Sequence, residues 1–496
     1  MNYYSTRNKN IMVEAAGARV KGLAPDGGLF VPESFPHILE NEISALANKT
    51  YNERAQFILA KFLTDFTQDE INDCVASAYT AEKFGSEEIA PLHKLDDEAY
   101  ILELWHGPTC AFKDMALQIL PHLLTKSSEK EGNKNEIAIL VATSGDTGKA
   151  ALEGFCDVKG TKIAVFYPKD GVSQIQKLQM VTQKGENVGV FAVEGNFDDA
   201  QNGVKRIFTS VEMNKKLQDA GVSLSSANSI NWGRLLPQIV YYFSAYADLL
   251  KNDEIKMGEQ INVVVPTGNF GNILAAYYAL RMGLPIKKLI CASNSNNVLT
   301  EFIESGVYDK NREFKVTVSP SMDILISSNL ERFLFDISGR DTEKIKGFMS
   351  NLADSGKYDV GEDLLSKIRK IMVGKCCSEE NTLATIKNVF EKYSYVADTH
   401  TAVAIYAYNE YKKETGDDAK TVIASTASPY KFSPSVLSAI EGKKEYKDEF
   451  EVIKALRNIS ALTVPASLSE LSEKAVRFTK SCKPLKMEDT VLEFLK

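Results

Sequence analysis

The chain has 496 residues, of which 44% are hydrophobic, 9% aromatic and 25% charged, with a formal net charge of −8. That length argues for two or three domains, and the acidic balance argues against a nucleic-acid binder, which needs a basic face. Seven cysteines without a CxxC spacing, five scattered histidines and no long apolar run argue against a disulfide framework, a metal site, a signal peptide and a membrane span, and lead us to expect a reduced, cytoplasmic protein.

In chain order, residues 1–95 read as a mainly helical unit that braces a larger body. Pro25 to Gly28 is a turn, Leu29 to Val31 a short extended piece, and Ala55, Ile58, Leu59, Phe62 and Leu63 share one helical face. Ala99 to Leu104 is strand-like. Met115 to Leu120 begins a buried helix that Pro121 should stop. Strands are then expected at Ile137–Ala142, Ile163–Tyr167 and Val188–Val193, with helices at Lys149–Phe155, Val172–Thr182 and Asp198–Phe208. A long helix, Arg234–Leu250, precedes strands at Ile261–Val265 and Leu289–Ala292 and helices at Ile273–Arg281 and Val298–Glu304. Residues 307–360 are less regular and read as an insertion. Two or three helices follow, and then the strand Thr421–Ala424. The β/α alternation predicts an α/β fold of parallel sheets with helices on their faces and functional loops at the carboxyl ends of the strands. The expected division is 1–95 as the bracing unit, 96–112 with 211–496 as a large domain, and 113–210 as a small α/β domain.

Three stretches carry chemistry by their residues alone. In HGPTCAFKD (His106 to Asp114), Lys113 sits at a loop-to-helix junction between Phe112 and an apolar helix. Burial there lowers the pKa of an amine and makes it a base or a Schiff-base former; a surface lysine is the plain alternative. In PTGNFGN (Pro266 to Asn272) a buried strand runs into a glycine-containing loop and a helix start, an arrangement that cradles an anion on backbone N–H groups. The residues alone also allow a simple strand-to-helix turn. TSGDTG (Thr143 to Gly148) repeats the logic at a second strand end. Asp146, an acid in an anion site, needs an outward partner, a backbone donor or a cation; it can also cap the helix.

Together with DGGLFVPE (Asp26 to Glu33), NSINWGRLLPQ (Asn228 to Gln238) and SPSMDILISSNLERFLF (Ser319 to Phe335), these motifs resemble the threonine synthase family of pyridoxal-phosphate enzymes, of the tryptophan-synthase-β-like, fold type II class. The resemblance implies two interleaved parallel or mixed sheets, pyridoxal 5′-phosphate as cofactor, and conversion of O-phospho-L-homoserine and water to L-threonine and phosphate. The alternatives are another fold type II lyase, such as a serine/threonine dehydratase or a phosphohomoserine phospho-lyase, and a non-catalytic metabolite binder.

By the same resemblance Lys113 carries the cofactor beside Phe112. Gly268, Asn269, Phe270, Gly271 and Asn272 hold its phosphate, and the Thr426 hydroxyl meets its pyridine nitrogen. Thr143, Ser144, Gly145, Asp146 and Thr147 hold the substrate carboxylate. Arg234, with Ser229 and Asn231, suits bidentate capture of the substrate phosphate; Lys149, Asn196 and Arg332 are further candidates. His106 is expected to orient the loop, Trp232 to pack, and Cys110 not to act as a nucleophile. The partner is a small molecule, and the protein a monomer or dimer.

Overall fold

The computed structural model describes residues 1–143, 145–170, 172–460 and 462–495. Two sheets carry the body. The larger has six strands in the order Met372–Cys376, Ile286–Ser293, Ile261–Pro266, Thr421–Ser425, Ala99–Glu103 and Leu92–Lys94. Its neighbours are parallel except the edge pair of Leu92–Lys94 and Ala99–Glu103. The smaller has five parallel strands in the order Ser481–Cys482, Val188–Val193, Thr161–Pro168, Glu136–Ala142 and Val222–Ser225. Every residue of Ile261–Pro266 and of Val188–Val193 is buried, which is what helices on both faces of a parallel sheet impose. Each fully buried valine or isoleucine there contributes about 1.5–3 kcal/mol.

The expected β/α alternation is present, and the differences from expectation are local. Val222–Ser225 and Met372–Cys376 are strands that periodicity did not reveal, because each is short and carries serine or glycine among its apolar residues. Residues 222–225 and 481–495, grouped by sequence with the 211–496 stretch, lie on the smaller sheet: Ser481 and Cys482 pair with Ala192 and Val193, and the helix Met487–Leu495 buries Met487, Val491 and Leu495. Pro121 does not end the lysine helix. Asp114–Leu117 stops first, and Pro121 sits in the opening turn of Leu120–Lys130, where its missing N–H costs nothing.

The stretch 307–360 is irregular from 310 to 329, apart from the short turn Pro320–Met322, and regular on either side. Val307–Asp309 pairs antiparallel with Lys357–Asp359, and the rings of Tyr308 and Tyr358 stack at 5.3 Å. The helices Leu330–Ile337 and Thr342–Asp354 lie between, the second capped by Asp341. Three-residue strands give no readable alternation.

The N-terminal unit adds to its helices a three-stranded antiparallel sheet of Met12–Glu14, Asn2–Ser5 and Phe30–Pro32. Its helices Tyr51–Ala60 and Gln68–Ala78 open with capping boxes, Thr50 with Glu53 and Thr67 with Glu70. The unit packs on the long helix Trp232–Lys251, where Trp232 meets Tyr3 and Phe62 and Arg54 pairs with Asp248 at 2.7 Å. Among the described residues no helix is long and apolar enough to cross a membrane.

The helix Asp146–Phe155 of the smaller sheet rides directly on the lysine helix. A Cβ at Gly154 would lie 2.0 Å from the Leu117 carbonyl oxygen, a backbone atom that cannot turn aside. Gly154→Ala should therefore destabilise the fold by about 1–3 kcal/mol, the range of overpacked cores. Denaturant unfolding with an unchanged midpoint would contradict this packing.

Candidate functional site

The lysine loop is held at both ends. After the strand Ala99–Glu103, the Trp105 indole N–H donates to Ser425 Oγ at 3.0 Å. His106 stacks on Trp105 and places Nε2 2.7 Å from Glu103 Oε2, which fits the orienting role expected of it. Gly107 passes so close to Asp114 that a Cβ would fall 2.5 Å from the Asp114 Cβ. Asp114 accepts the Thr109 N–H at 2.8 Å and its hydroxyl at 2.7 Å, so the motif folds back on itself. Burial pushes the Asp114 carboxyl up to about 6 against the pull of those bonds. Cys110 takes a left-handed φ of 60°, and burial pushes its thiol up to about 11, which leaves it protonated at neutral pH. The far side of the loop is pinned by the Phe112 N–H, which donates to the Thr426 carbonyl at 2.8 Å, and by the Ser428 N–H, which donates to the Cys110 carbonyl at 3.0 Å.

Lys113 is largely withdrawn from water, with 12% of its side chain exposed. Its Nζ lies 5.1 Å from the centre of the Phe112 ring, 3.4 Å from Ser321 Oγ and 3.5 Å from Asp146 Oδ2. Burial lowers its pKa; the Lys431 and Arg234 cations push the same way, and Asp146 opposes them. The amine thus has the environment that the sequence predicts.

Ser321 bridges Lys113 to the glycine loop, because a Cβ at Gly268 would sit 2.5 Å from the Ser321 carbonyl oxygen. Ser327 Oγ donates to the Gly268 carbonyl at 2.8 Å, and the Asn329 N–H and Nδ2 both reach the Asn269 carbonyl at 3.1 Å. Phe270, at a left-handed φ of 63° and packed on Phe333, turns the chain into the helix Gly271–Arg281. The first bond of that helix runs from the Leu274 N–H to the Phe270 carbonyl, so the N–H groups of Gly271, Asn272 and Ile273 precede the ladder. Asn269 is exposed.

Two buried donors beside this turn, Asn272 Nδ2 and Arg234 Nε, have no acceptor among the described residues. Asn272 Oδ1 is taken by the Tyr242 hydroxyl and Arg234 Nη1 by the Ala227 carbonyl at 2.9 Å. Burial lowers the Arg234 pKa to about 10, so it stays a cation at neutral pH. Orphaned donors beside a helix N-terminus fit an acceptor-only group, and a phosphate monoester is such a group.

At the second strand end, Thr143 Oγ1 accepts the N–H groups of Gly145 and Gly148, both at 2.9 Å, so this oxygen braces the loop. Gly145 has a φ of 145°, and Gly148 faces the Thr143 methyl. Thr147 is half-buried; Ser144 lies outside the described residues. Asp146 does have its outward cation, which is Lys431 at 2.7 Å.

Several other candidates are engaged elsewhere. Asn231 donates to the Arg19 and Ser226 carbonyls and accepts the Gly233 N–H at 2.8 Å, so its amide fixes the turn before Arg234. Ser229 Oγ lies 3.4 Å from Asn329 Nδ2. Lys149 binds Glu153 and Gln183, Asn196 caps the helix Phe197–Thr209, and Arg332 holds the Phe30 and Ile230 carbonyls. Trp232 is fully buried among aromatic rings, as packing requires. Thr426 meets the lysine loop through its backbone carbonyl.

Sequence reasoning missed Ser321, Lys431, His400 and Asp398. Ser321 stood in a quoted motif with no role attached. The others lie far from Lys113 in sequence, in stretches without glycine punctuation. A separate cleft of about 770 Å³ opens beyond Pro108, between Lys83, Gln118 and Glu153, and Lys113 does not line it.

The families described as threonine synthase N terminus, pyridoxal-phosphate dependent enzyme, and threonine synthase C-terminal match residues 2–79, 85–427 and 401–488. Threonine synthase from Pseudomonas aeruginosa is 36% identical over 480 residues, which cover 97% of this chain and 95% of that one. Human threonine synthase-like 1 is 42% identical over 437 residues, or 86% of this chain; the match spans 58% of the length of that longer relative. The crystal structure of threonine synthase from Brucella melitensis with bound pyridoxal phosphate superposes with a TM-score of 0.89 at 37% identity, over all of both chains.

The fold-back at Gly107 yields a test. Gly107→Ala should push Asp114 away, lower the melting temperature and expose the Lys113 amine. Trinitrobenzenesulfonate labelling of the Lys113 peptide should then rise severalfold, and unchanged labelling would contradict the geometry.

Proposed function

Because the chain belongs to the threonine synthase family of pyridoxal-phosphate-dependent enzymes, we propose that it converts O-phospho-L-homoserine and water to L-threonine and phosphate. The observation that carries this reading is the withdrawn Lys113 amine, joined through Ser321 to a glycine loop flanked by orphaned phosphate-type donors. Pyridoxal phosphate, when bound, supplies an aldehyde for an imine with an amine and an electron sink for a carbanion.

The chain's own groups take the following parts. The N–H groups of Gly271 and Asn272, with the Asn272 amide, hold the cofactor's phosphate at the helix N-terminus. The N–H groups of Asp146 and Thr147, at the start of the helix Asp146–Phe155, hold the substrate carboxylate, and Thr143 braces the loop that presents them. The Arg234 guanidinium holds the substrate phosphate, and Asn231 keeps that side chain in place. Thr426 would offer a neutral hydroxyl to the cofactor's ring nitrogen, a partner that suits elimination and replacement chemistry. The Lys113 amine removes the α-proton, moves a β-proton so that the γ-phosphate departs, and returns protons before water is bound at the β-carbon. One group serves all of these transfers, so it must be able to lose its proton near neutral pH, and burial provides for that.

The deciding experiment incubates the purified protein with O-phosphohomoserine. Threonine and phosphate are the expected products; 2-oxobutyrate would point to a phospho-lyase, and no turnover would overturn the enzyme reading. Lys113→Ala should keep the fold while losing the cofactor's near-visible absorbance and at least about a thousandfold in kcat. Retained turnover would remove Lys113 from its role. Arg234→Ala should raise the KM for phosphohomoserine about tenfold or more while cofactor affinity changes little. An unchanged KM would move the substrate phosphate elsewhere.

A further inference from the structure

Around Lys113 two ammonium groups share one carboxylate. Asp146 Oδ1 takes Lys431 Nζ at 2.7 Å and Gln176 Nε2 at 3.3 Å, while Oδ2 faces Lys113 Nζ at 3.5 Å and Ser321 Oγ at 3.3 Å. The Lys431 side chain is 1% exposed, and its ammonium also donates to the Thr109 carbonyl of the lysine loop at 3.1 Å. Five separate segments meet here: the lysine loop, the first turn of the helix Asp146–Phe155, the helix Gln174–Val181, the turn Pro320–Met322 and the turn Pro429–Phe432. The Ser321 turn is fixed from behind. Its N–H donates to His400 Nε2 at 3.1 Å, which places the ring proton on Nδ1, 2.8 Å from Asp398 Oδ1.

We propose that the buried Lys431–Asp146 ion pair is a positioning device for Lys113, with Asp146 as the counter-ion that holds the amine and Lys431 as the competing cation that keeps this hold weak. It rests on the reading that Lys113 is the reacting amine. A carboxylate facing Lys113 alone would tie it down as a full salt bridge and favour its charged form. No counter-ion at all would leave the released amine without a tether. With Lys431 0.8 Å closer to the carboxylate than Lys113 is, Asp146 keeps its charge balanced and Lys113 stays the looser partner. Burial alone would raise the Asp146 pKa, yet Lys431 and Lys113 hold this carboxyl well below the usual carboxylate range.

The other charged groups around the amine are Arg234 on the long helix and, one layer out, His400 and Asp398 behind Asp146 and Asp114 on the lysine helix. Arg234 repels the charged form of Lys113, as Lys431 does, so Asp146 is the counter-charge in direct contact with the amine.

The test reads the Lys113 amine directly. Full-length protein stripped of cofactor is labelled with trace acetic anhydride across a pH series, and acetylation of the Lys113 peptide is followed by mass spectrometry. Lys431→Met should move the half-labelling pH of Lys113 up by about one unit, because a rival cation is lost and the carboxylate turns wholly to Lys113. Asp146→Asn should move it down by a similar amount. Lys431→Arg should restore the wild-type value. The acid limb of the kcat profile of the reloaded proteins should follow in the same directions. Shifts of the same sign in both variants, or none in either, would overturn the proposal, since a merely structural pair would not move the two in opposite directions.

Should a single variant fail to fold, the double variant Asp146→Asn with Lys431→Met removes the ion pair as a unit and leaves Lys113 without its counter-charge, so its half-labelling pH should fall below wild type. A value at or above wild type would count against the counter-ion role. Failure of the functional reading is distinguished separately, by turnover that survives Lys113→Ala.

Discussion

Withdrawing one ammonium group from water, at the place where the two sheets meet, is the constraint on which the site depends. Such a group is costly to bury, and the cost is contained only if an opposite charge lies near and the surrounding dipoles are fixed. That explains why so much of the surrounding chain serves Lys113 without touching it. Gly107 and Thr109 fold the loop onto Asp114, Thr426 and Ser428 clamp its middle, and the Ser319–Asn329 stretch lies over the glycine turn. The parallel sheets contribute the geometry, since the ends of Ile261–Pro266, Glu136–Ala142 and Thr421–Ser425 all open toward this point.

The electrostatics of the site are asymmetric. Lys113, Lys431 and Arg234 place three cations around one direct carboxylate, Asp146. The surplus of positive charge suits small ligands that carry phosphate, and it sits on a protein whose net charge is −8. A local cationic basin on an acidic molecule draws in small anions while polyanions are repelled by the rest of the surface.

Much of this was legible in the sequence wherever a motif is local. The nine residues from His106 to Asp114 contain both partners of the fold-back, so the loop can be read without knowing what lies across from it. The Gly268 and Gly145 turns are readable for the same reason: each is a strand end followed at once by a helix. What was not legible is what the fold assembles from a distance. Lys431 lies 285 residues from Asp146, and His400 lies 79 from Ser321. Nothing in SPYKF distinguishes a buried counter-charge from a surface lysine. Side-chain commitments were equally hidden. Thr143 and Asn231 read as ligands by type, whereas their oxygens brace the turns in which they sit. The strand Met372–Cys376 breaks its apolar run with Gly374 and Lys375, so nothing in its pattern marks it.

Phe270 holds the turn before the helix Gly271–Arg281 in a conformation that glycine would adopt more cheaply, and it does so with its ring packed on Phe333 in the main core. The turn is thereby wired to the stability of the whole molecule rather than to that of a surface loop. Amide hydrogens of the helix Gly271–Arg281 should exchange only as fast as the core itself opens, whether or not an anion is seated. A turn of this kind takes its shape during folding and keeps it with nothing seated in it.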